Sequence, residues 1–323
     1  MDYTKTQGLD AGWNMITEKD RVIYLYEDDK DKIRVTVYQI YEGIELIYYD
    51  VHAQNRDFEV IKKENIIEIN YCREGRVEFE YGNKMCHISS GDIAILDSSK
   101  LNHEFYYPFS HYHGLSLSID LKQAPETLSK ILRDVNVAPA LLKEKFCADE
   151  GCFIARSSDT NRKMFSDLYD IPESIRIGYL KVKSLEVFLY LSVLSKDEDE
   201  HIQRSCSPQQ ALLARSISRY LMDHKNDRIT LEELSKEFHA SGTNIKSSFK
   251  AVYGVSVYSY VRAQKMESAA YMLENTDKSI LEIAGEHGYD NASKFAGAFR
   301  TVKGIAPNEY RNESRRINRK LNV

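Results

Sequence analysis

Two stretches of this 323-residue chain match one another at a separation of about fifty residues, which restricts its C-terminal third to a pair of similar helical units. TLEELSKEFHASGTNIKSSFKAVYGVSVYSYVR (230–262) aligns with SILEIAGEHGYDNASKFAGAFRTVKGIAPNEYR (279–311). Phe249 meets Phe299, Val252 meets Val302, Gly254 meets Gly304 and Tyr260 meets Tyr310, all at an offset of 50. Upstream, Glu233 pairs with Glu282 and Leu234 with Ile283 at an offset of 49, so the second copy carries one extra residue in its turn. Each copy opens on a capping box, Thr230-x-x-Glu233 or Ser279-x-x-Glu282, in which the hydroxyl accepts from an orphan helix N–H and the carboxylate reaches back. Leu231 and Leu234, or Ile280 and Ile283, anchor a short first helix. Ile245 and Phe249, or Phe295 and Phe299, anchor a second one whose other face is polar. Short helix, tight turn and second helix make a helix-turn-helix unit, here present twice.

The polar faces have the chemistry that DNA needs. The first presents Thr243, Asn244, Lys246, Ser247 and Lys250, and the second presents Asn291, Ser293, Lys294 and Arg300. Such side chains donate to base edges and phosphates from a helix lying in a major groove. A single face of this kind is more often an ordinary solvated helix surface, whereas two at a fixed period favour DNA. The intervening stretch 258–275 predicts a connector helix of about 18 residues, roughly 27 Å long, which can set two recognition helices about one duplex turn apart. The net charge of −5 is unevenly spread. From Gln210 onward there are 18 Lys+Arg against 13 Asp+Glu, and before it 26 against 36, so a basic segment follows an acidic body.

The residues RAQKMESAAYMLENTDKSILEIAGEHGYDNASKFAGAFRTVKGIAPNEYR resemble the DNA-binding domain of the AraC/XylS family of bacterial transcription regulators. The likeness lies in the connector helix, the Ile-Ala then Gly-Tyr turn, the Phe-x-x-x-Phe recognition helix and the closing Gly-x-x-Pro-x-x-Tyr-Arg, over about a third of the chain. The resemblance implies base contacts from Thr243, Lys246 and Ser247 in the first unit and from the positions of Ser293, Lys294 and Gly297 in the second. Gly297 departs from the long polar residue often found there, so the second unit leans on phosphate contacts and DNA shape. Ala306 departs from the Ser common before the proline, removing a cap hydroxyl worth about 1 kcal/mol. The family also implies promoter DNA and RNA polymerase as partners, a homodimer, and activation more often than repression.

The rest of the chain reads differently. Segment 195–210 (SKDEDEHIQRSCSPQQ) is polar, carries an acidic run and contains Pro208, which marks a linker. The expected domains are therefore 1–195, a linker at 196–209, and 210–323. Between about Arg21 and Asp120, runs at 33–40, 44–51, 66–72, 76–81, 93–97 and 114–120 alternate with period two. Turn signals at Glu74-Gly75, Gly82-Asn83 and Ser90-Gly91-Asp92 separate them, which predicts antiparallel strands in a sandwich or small barrel. Helical spacing follows, at Leu128, Ile131, Leu132 and Val135, then Met164, Phe165 and Leu168, then a helix over about 179–194 that is apolar on more than one face. That last helix either packs within its own domain or pairs with a second subunit. The predicted fold class is α+β with two domains, an N-terminal cupin-like β jelly roll with appended helices and a C-terminal all-α domain.

SSGDIAILDSSKLNHEF (89–105) resembles the second cupin signature, ending at His103. The His-x-His pair of enzymatic cupins is missing near Glu68 to Glu80, and His111 and His113 lack a carboxylate at ligand spacing in sequence. No metal, no cofactor and no enzymatic activity are expected. Tyrosines cluster in the β region, so Tyr48, Tyr71, His103, Tyr106, His111 and His113 are the candidates for an effector pocket of unreadable chemistry. Five cysteines without a Cys-x-x-Cys pair, and no stretch apolar for the length of a membrane span, point to a cytoplasmic protein. Two alternatives stay open: a metal-dependent cupin enzyme tethered to a DNA-binding domain, and an effector-independent DNA binder.

Overall fold

The computed structural model describes residues 12–28, 31–53, 55–57, 65–82, 84–109, 111–124, 138–148, 152–195, 207–224 and 229–312. The helical stretch expected around Leu128, Ile131, Leu132 and Val135, and most of the expected linker, lie outside the described residues. The chain divides into two compact units, Met1–Tyr107 with His111–Gln203, and Arg204–Val323 with the short segment Pro108–Ser110.

The first unit is built on antiparallel strands: β1 (Trp13–Thr17), β2 (Arg21–Glu27), β3 (Lys32–Tyr41), β4 (Ile44–His52), β5 (Asn55–Asp57), β6 (Ile66–Tyr81), β7 (Lys84–Ser89), β8 (Ile93–Asp97), β9 (Leu101–Tyr106), β10 (Tyr112–Asp120) and β11 (Phe153–Ala155). One run of pairings goes β1-β2-β3-β4-β10-β6-β8-β11, and a second joins β5, β9, β6 and β7, so the long β6 belongs to both. Alternation explains the faces. On β10, Leu115, Leu117 and Ile119 join one core while Ser116 and Ser118 point the other way.

The sequence predicted two strands, 66–72 and 76–81, with a turn at Glu74-Gly75, and here the structure differs. β6 is a single strand through both, with Gly75 at φ +85° and a bulge opposite His113 and Gly114. A Cβ on Gly75 would sit 2.4 Å from the His111 carbonyl oxygen, so the glycine serves a close backbone approach rather than a reversal. Past it, β6 leaves β10 and β8 and pairs with β7 and β9.

Two cores result. Ile33, Val51, Ala94, Leu96 and Tyr112 meet Val77, Phe79, Tyr81, Ile88 and Leu101 between the two runs of strands. The other face of β3, β4, β6, β8 and β10 is covered by α1 (Pro139–Cys147), α2 (Asp159–Ser166) and α3 (Arg176–Val193) through Leu142, Phe146, Phe165, Leu180, Val187, Phe188 and Leu191. The face of α3 carrying Leu180, Val187 and Leu191 therefore packs within its own unit, while Val182 and Val193 on other faces are 67% and 79% exposed.

The second unit holds α4 (Pro208–Asp223), α5 (Leu231–Glu237), α6 (Gly242–Tyr253), α7 (Val257–Asn275), α8 (Ile280–Glu286) and α9 (Ala292–Lys303), with residues 307–312 also helical. Each repeat has its own core. Ala214, Ile217, Leu221, Leu234, Ile245, Phe249, Tyr253 and Tyr260 form one, and Met266, Ala269, Ala270, Leu273, Ile283, Ala284, Phe295 and Phe299 the other. Ala214, Ile217 and Leu221 of α4 match Met266, Ala269 and Leu273 of α7 at a common offset, so α4 stands to the first repeat as α7 stands to the second. The connector α7 thus serves both cores, Tyr260 near its start in one and Leu273 near its end in the other.

Candidate nucleic-acid interface

Both short first helices start where the capping boxes place them. The Thr230 and Ser279 hydroxyls accept from the Glu233 and Glu282 N–H at 3.2 Å, and each carboxylate accepts from the cap residue's own N–H at 2.6 Å. Those backbone hydrogen bonds, helped by the Thr230 and Ser279 hydroxyls, hold both glutamate carboxyls below the ordinary glutamate range.

The turns differ by the one residue that the offset change requires. α5 reaches α6 through four residues, with His239 at φ +47°, and α8 reaches α9 through five, with Gly288 at φ +76°. Ser241 then caps α6, its hydroxyl accepting from Asn244 N–H at 3.2 Å, and Asn291 caps α9, accepting from Lys294 N–H at 2.8 Å. Both second helices end on a left-handed glycine, Gly254 at φ +72° and Gly304 at φ +81°. Ile245 with Phe249, and Phe295 with Phe299, are fully buried and fix which face turns outward.

That outward face carries every DNA-contact candidate from the sequence. Thr243, Asn244, Lys246, Ser247 and Lys250 on α6 are exposed, as are Ser293, Lys294 and Arg300 on α9 and Asn291 at its cap. Three candidates are already engaged within the protein, among them Ser247, whose hydroxyl donates to the Asn244 carbonyl at 3.0 Å and keeps its lone pairs as acceptors. Asn291 uses its Oδ1 to cap α9, leaving its amide N–H groups as donors, and Asn244 Oδ1 accepts from the Ser248 hydroxyl at 3.0 Å. The sequence reading did not single out Ser241, although the offset of 50 that pairs it with Asn291 identifies it as the equivalent cap.

The same offset lays Lys246 and Ser247 over Ala296 and Gly297, so the middle of the second face has lost its polar groups. A Cβ built on Gly297 meets nothing within 4 Å. At the end of α9, Lys303 is tied to Glu267 of α7 by an ion pair, and Tyr310 donates from its hydroxyl to Glu274 at 2.7 Å.

Residues 234–313 match the family model described as a helix-turn-helix domain. They form a helix-turn-helix domain of the AraC type. An uncharacterized HTH-type transcriptional regulator of Escherichia coli is 37% identical over 102 residues, covering 32% of this chain and 34% of its own length. The Msm operon regulatory protein of Streptococcus mutans is 21% identical over 257 residues, covering 76% of this chain and 84% of its own. Among solved structures, the C-terminal domain of AraT, a response regulator from Geobacillus stearothermophilus, is 30% identical over 33% of this chain and 86% of its own, with a TM-score of 0.30. The chain spans only 13% to 34% of the length of the first three curated relatives. The AraC-type domain therefore lies in one unit, and the relatives' names refer to proteins that include more than it.

The described effector candidates of the first unit lie on several different elements. Tyr48 and Tyr71 sit under the helices, Tyr48 donating to the Leu168 carbonyl at 2.6 Å and Tyr71 stacked on Phe165 with centroids 4.5 Å apart. Tyr106 is buried on β9, and the side chain of His103 lies outside the described residues. His111 is buried just before β10, with its ring 5.7 Å from that of half-buried His113. No described helix is long and apolar enough to cross a membrane.

Proposed function

We propose that the protein is a sequence-specific DNA-binding transcription regulator that inserts α6 and α9 into two successive major grooves of promoter DNA. The observation that carries this is the duplicated, outward-facing polar helix, each copy pinned by buried aromatic residues in an independent core. The connector α7 has 19 residues, about 28 Å at 1.5 Å per residue, close to one turn of duplex. In the second reader, Ser293, Lys294 and Arg300 contact phosphates and the first reader supplies most of the base readout.

The N-terminal unit is a cupin-like jelly roll that binds a small effector, dimerises, or both, and it biases how the DNA modules of a homodimer are spaced, acting with RNA polymerase as an activator. Two features support this reading. Asn70 Nδ2 and Ser116 Oγ, on directly paired positions of β6 and β10, are buried without a hydrogen bond from the described residues, as the wall of a small-molecule pocket would be. Val182 and Val193 give α3 an exposed apolar surface suited to a second subunit.

Selection of bound sequences from a random DNA pool by the full chain tests the proposal. Enrichment of a two-part motif is expected, and recovery of an unenriched pool at physiological salt refutes sequence-specific binding.

A further inference from the structure

At the end of β4 and the start of β10, three side chains from non-adjacent positions share one small volume. Asp50 and His52 are two residues apart and emerge on the same face of β4, and His113 is the direct partner of Asp50 across the β4–β10 pairing. His52 Nε2 lies 2.9 Å and His113 Nε2 3.1 Å from the same Asp50 Oδ1, and the two Nε2 atoms are 3.4 Å apart. Donors held about 2.0–2.2 Å from a divalent cation lie about 2.8–3.1 Å from one another in octahedral surroundings and about 3.3–3.6 Å in tetrahedral ones. The observed triangle has nearly that size.

The surroundings fit as well. The Nδ1 of His113 faces Glu74 Oε2 on β6 at 3.9 Å, longer than a hydrogen bond, so this carboxylate adds negative charge beside the imidazole without holding its N–H. The Asp50 side chain is 51% exposed and those of His52 and His113 are 19% and 26% exposed, so the triangle is backed by protein and open on one side to solvent or a further ligand. It is distinct from the core between the two runs of strands, into which the intervening Val51 and Tyr112 point.

We propose that Asp50, His52 and His113 form a binding site for a divalent first-row transition cation, with Zn²⁺ as its test ligand. The cation clamps β4 to β10 and keeps coordination positions for water or an exogenous donor. In sequence, His111 and His113 have no carboxylate at ligand spacing. The strand pairing supplies that carboxylate from 63 positions upstream, together with a second histidine, and leaves His111 alongside with its ring 6.5 Å from that of His52.

Two imidazoles donating to one carboxylate oxygen would give similar distances with protons in place of a cation, and a titration separates the two occupants. Full-length protein stripped with a chelator is titrated with Zn²⁺ against a chromophoric competitor, while far-UV circular dichroism reports folding. One equivalent per chain is expected, with a raised thermal midpoint. Asp50→Asn and His52→Ala each weaken binding at least about a hundredfold. Asp50→Asn keeps the shape of a half-exposed side chain, so it decides the matter should the alanine variant fail to fold. Absence of saturable binding, or one equivalent bound equally well by wild type and Asp50→Asn, overturns the proposal.

Discussion

Replacing Gly297 by alanine isolates one consequence of the asymmetry between the two readers. Gly297 sits in the interior of α9, is exposed, and has nothing within 4 Å of where a Cβ would stand. Glycine in a helix interior costs about 0.8–1.0 kcal/mol relative to alanine, because the unfolded chain loses more freedom on ordering. No contact opposes that gain. The Thr301 hydroxyl donates to the Gly297 carbonyl at 2.8 Å, and a backbone acceptor survives the substitution. The expected stabilisation of about 0.8–1.0 kcal/mol converts to roughly four- to fivefold slower exchange of the α9 amides that open locally. Hydrogen exchange with mass spectrometry on the full chain reads this helix by itself, without assuming two-state unfolding of a two-unit protein. DNA affinity is expected to stay within about twofold, because the second reader contacts phosphate from neighbouring positions. Unchanged or faster exchange would refute the reasoning about α9. A large loss of affinity would show that the glycine backbone itself approaches DNA.

Lys246→Ala should relax sequence preference in a binding-site selection more than Lys294→Ala, and equal effects would contradict a dominant first reader. Gly75→Ala should lower the stability of the first unit by about 1–3 kcal/mol, since a Cβ at φ +85° would meet the His111 carbonyl at 2.4 Å; chemical denaturation followed through the β-sheet signal checks it. Ser279→Ala should cost about 1 kcal/mol, localised to α8 and visible as faster amide exchange there. The Glu282 carboxyl has a lowered pKa in the folded state, so its contribution is complete above the unfolded value of about 4.3 and is lost as pH falls through the folded one. Fraying of the α8 start in acid, abolished in Glu282→Gln, is the expected signature by NMR.

The C-terminal unit was legible because its signals are local and occur twice. Capping boxes, the paired Gly254 and Gly304, and buried Phe249 and Phe299 each act within a few residues, and the fifty-residue offset cross-checks them. The sequence could not show that Asn291 would spend its acceptor on capping α9, because the same residue type caps helices and reads bases. The β unit was harder to read. Alternation located β3, β4, β8 and β10, but Glu74-Gly75 has the composition of a turn and the fold uses it as a bend inside a 16-residue strand. β1 and β11 pair with only one neighbouring strand each, and β11 has only three residues, so neither offers much periodicity. The grouping of Asp50, His52 and His113 depends on register across β4 and β10, which no local pattern encodes. The same limit hid the packing of Tyr48 and Tyr71 against α2 and the residues after it, where their ring chemistry alone suggested a pocket.

The central claim is that α6 and α9 read two successive grooves at a spacing fixed by α7. Once a binding site is selected, hydroxyl-radical footprinting should show two protected patches about one turn apart on one face of the duplex. Inserting five base pairs between the two half-elements turns the second patch to the opposite face. The account predicts that affinity then drops to that of a single half-element. Undiminished binding to the expanded site would contradict it.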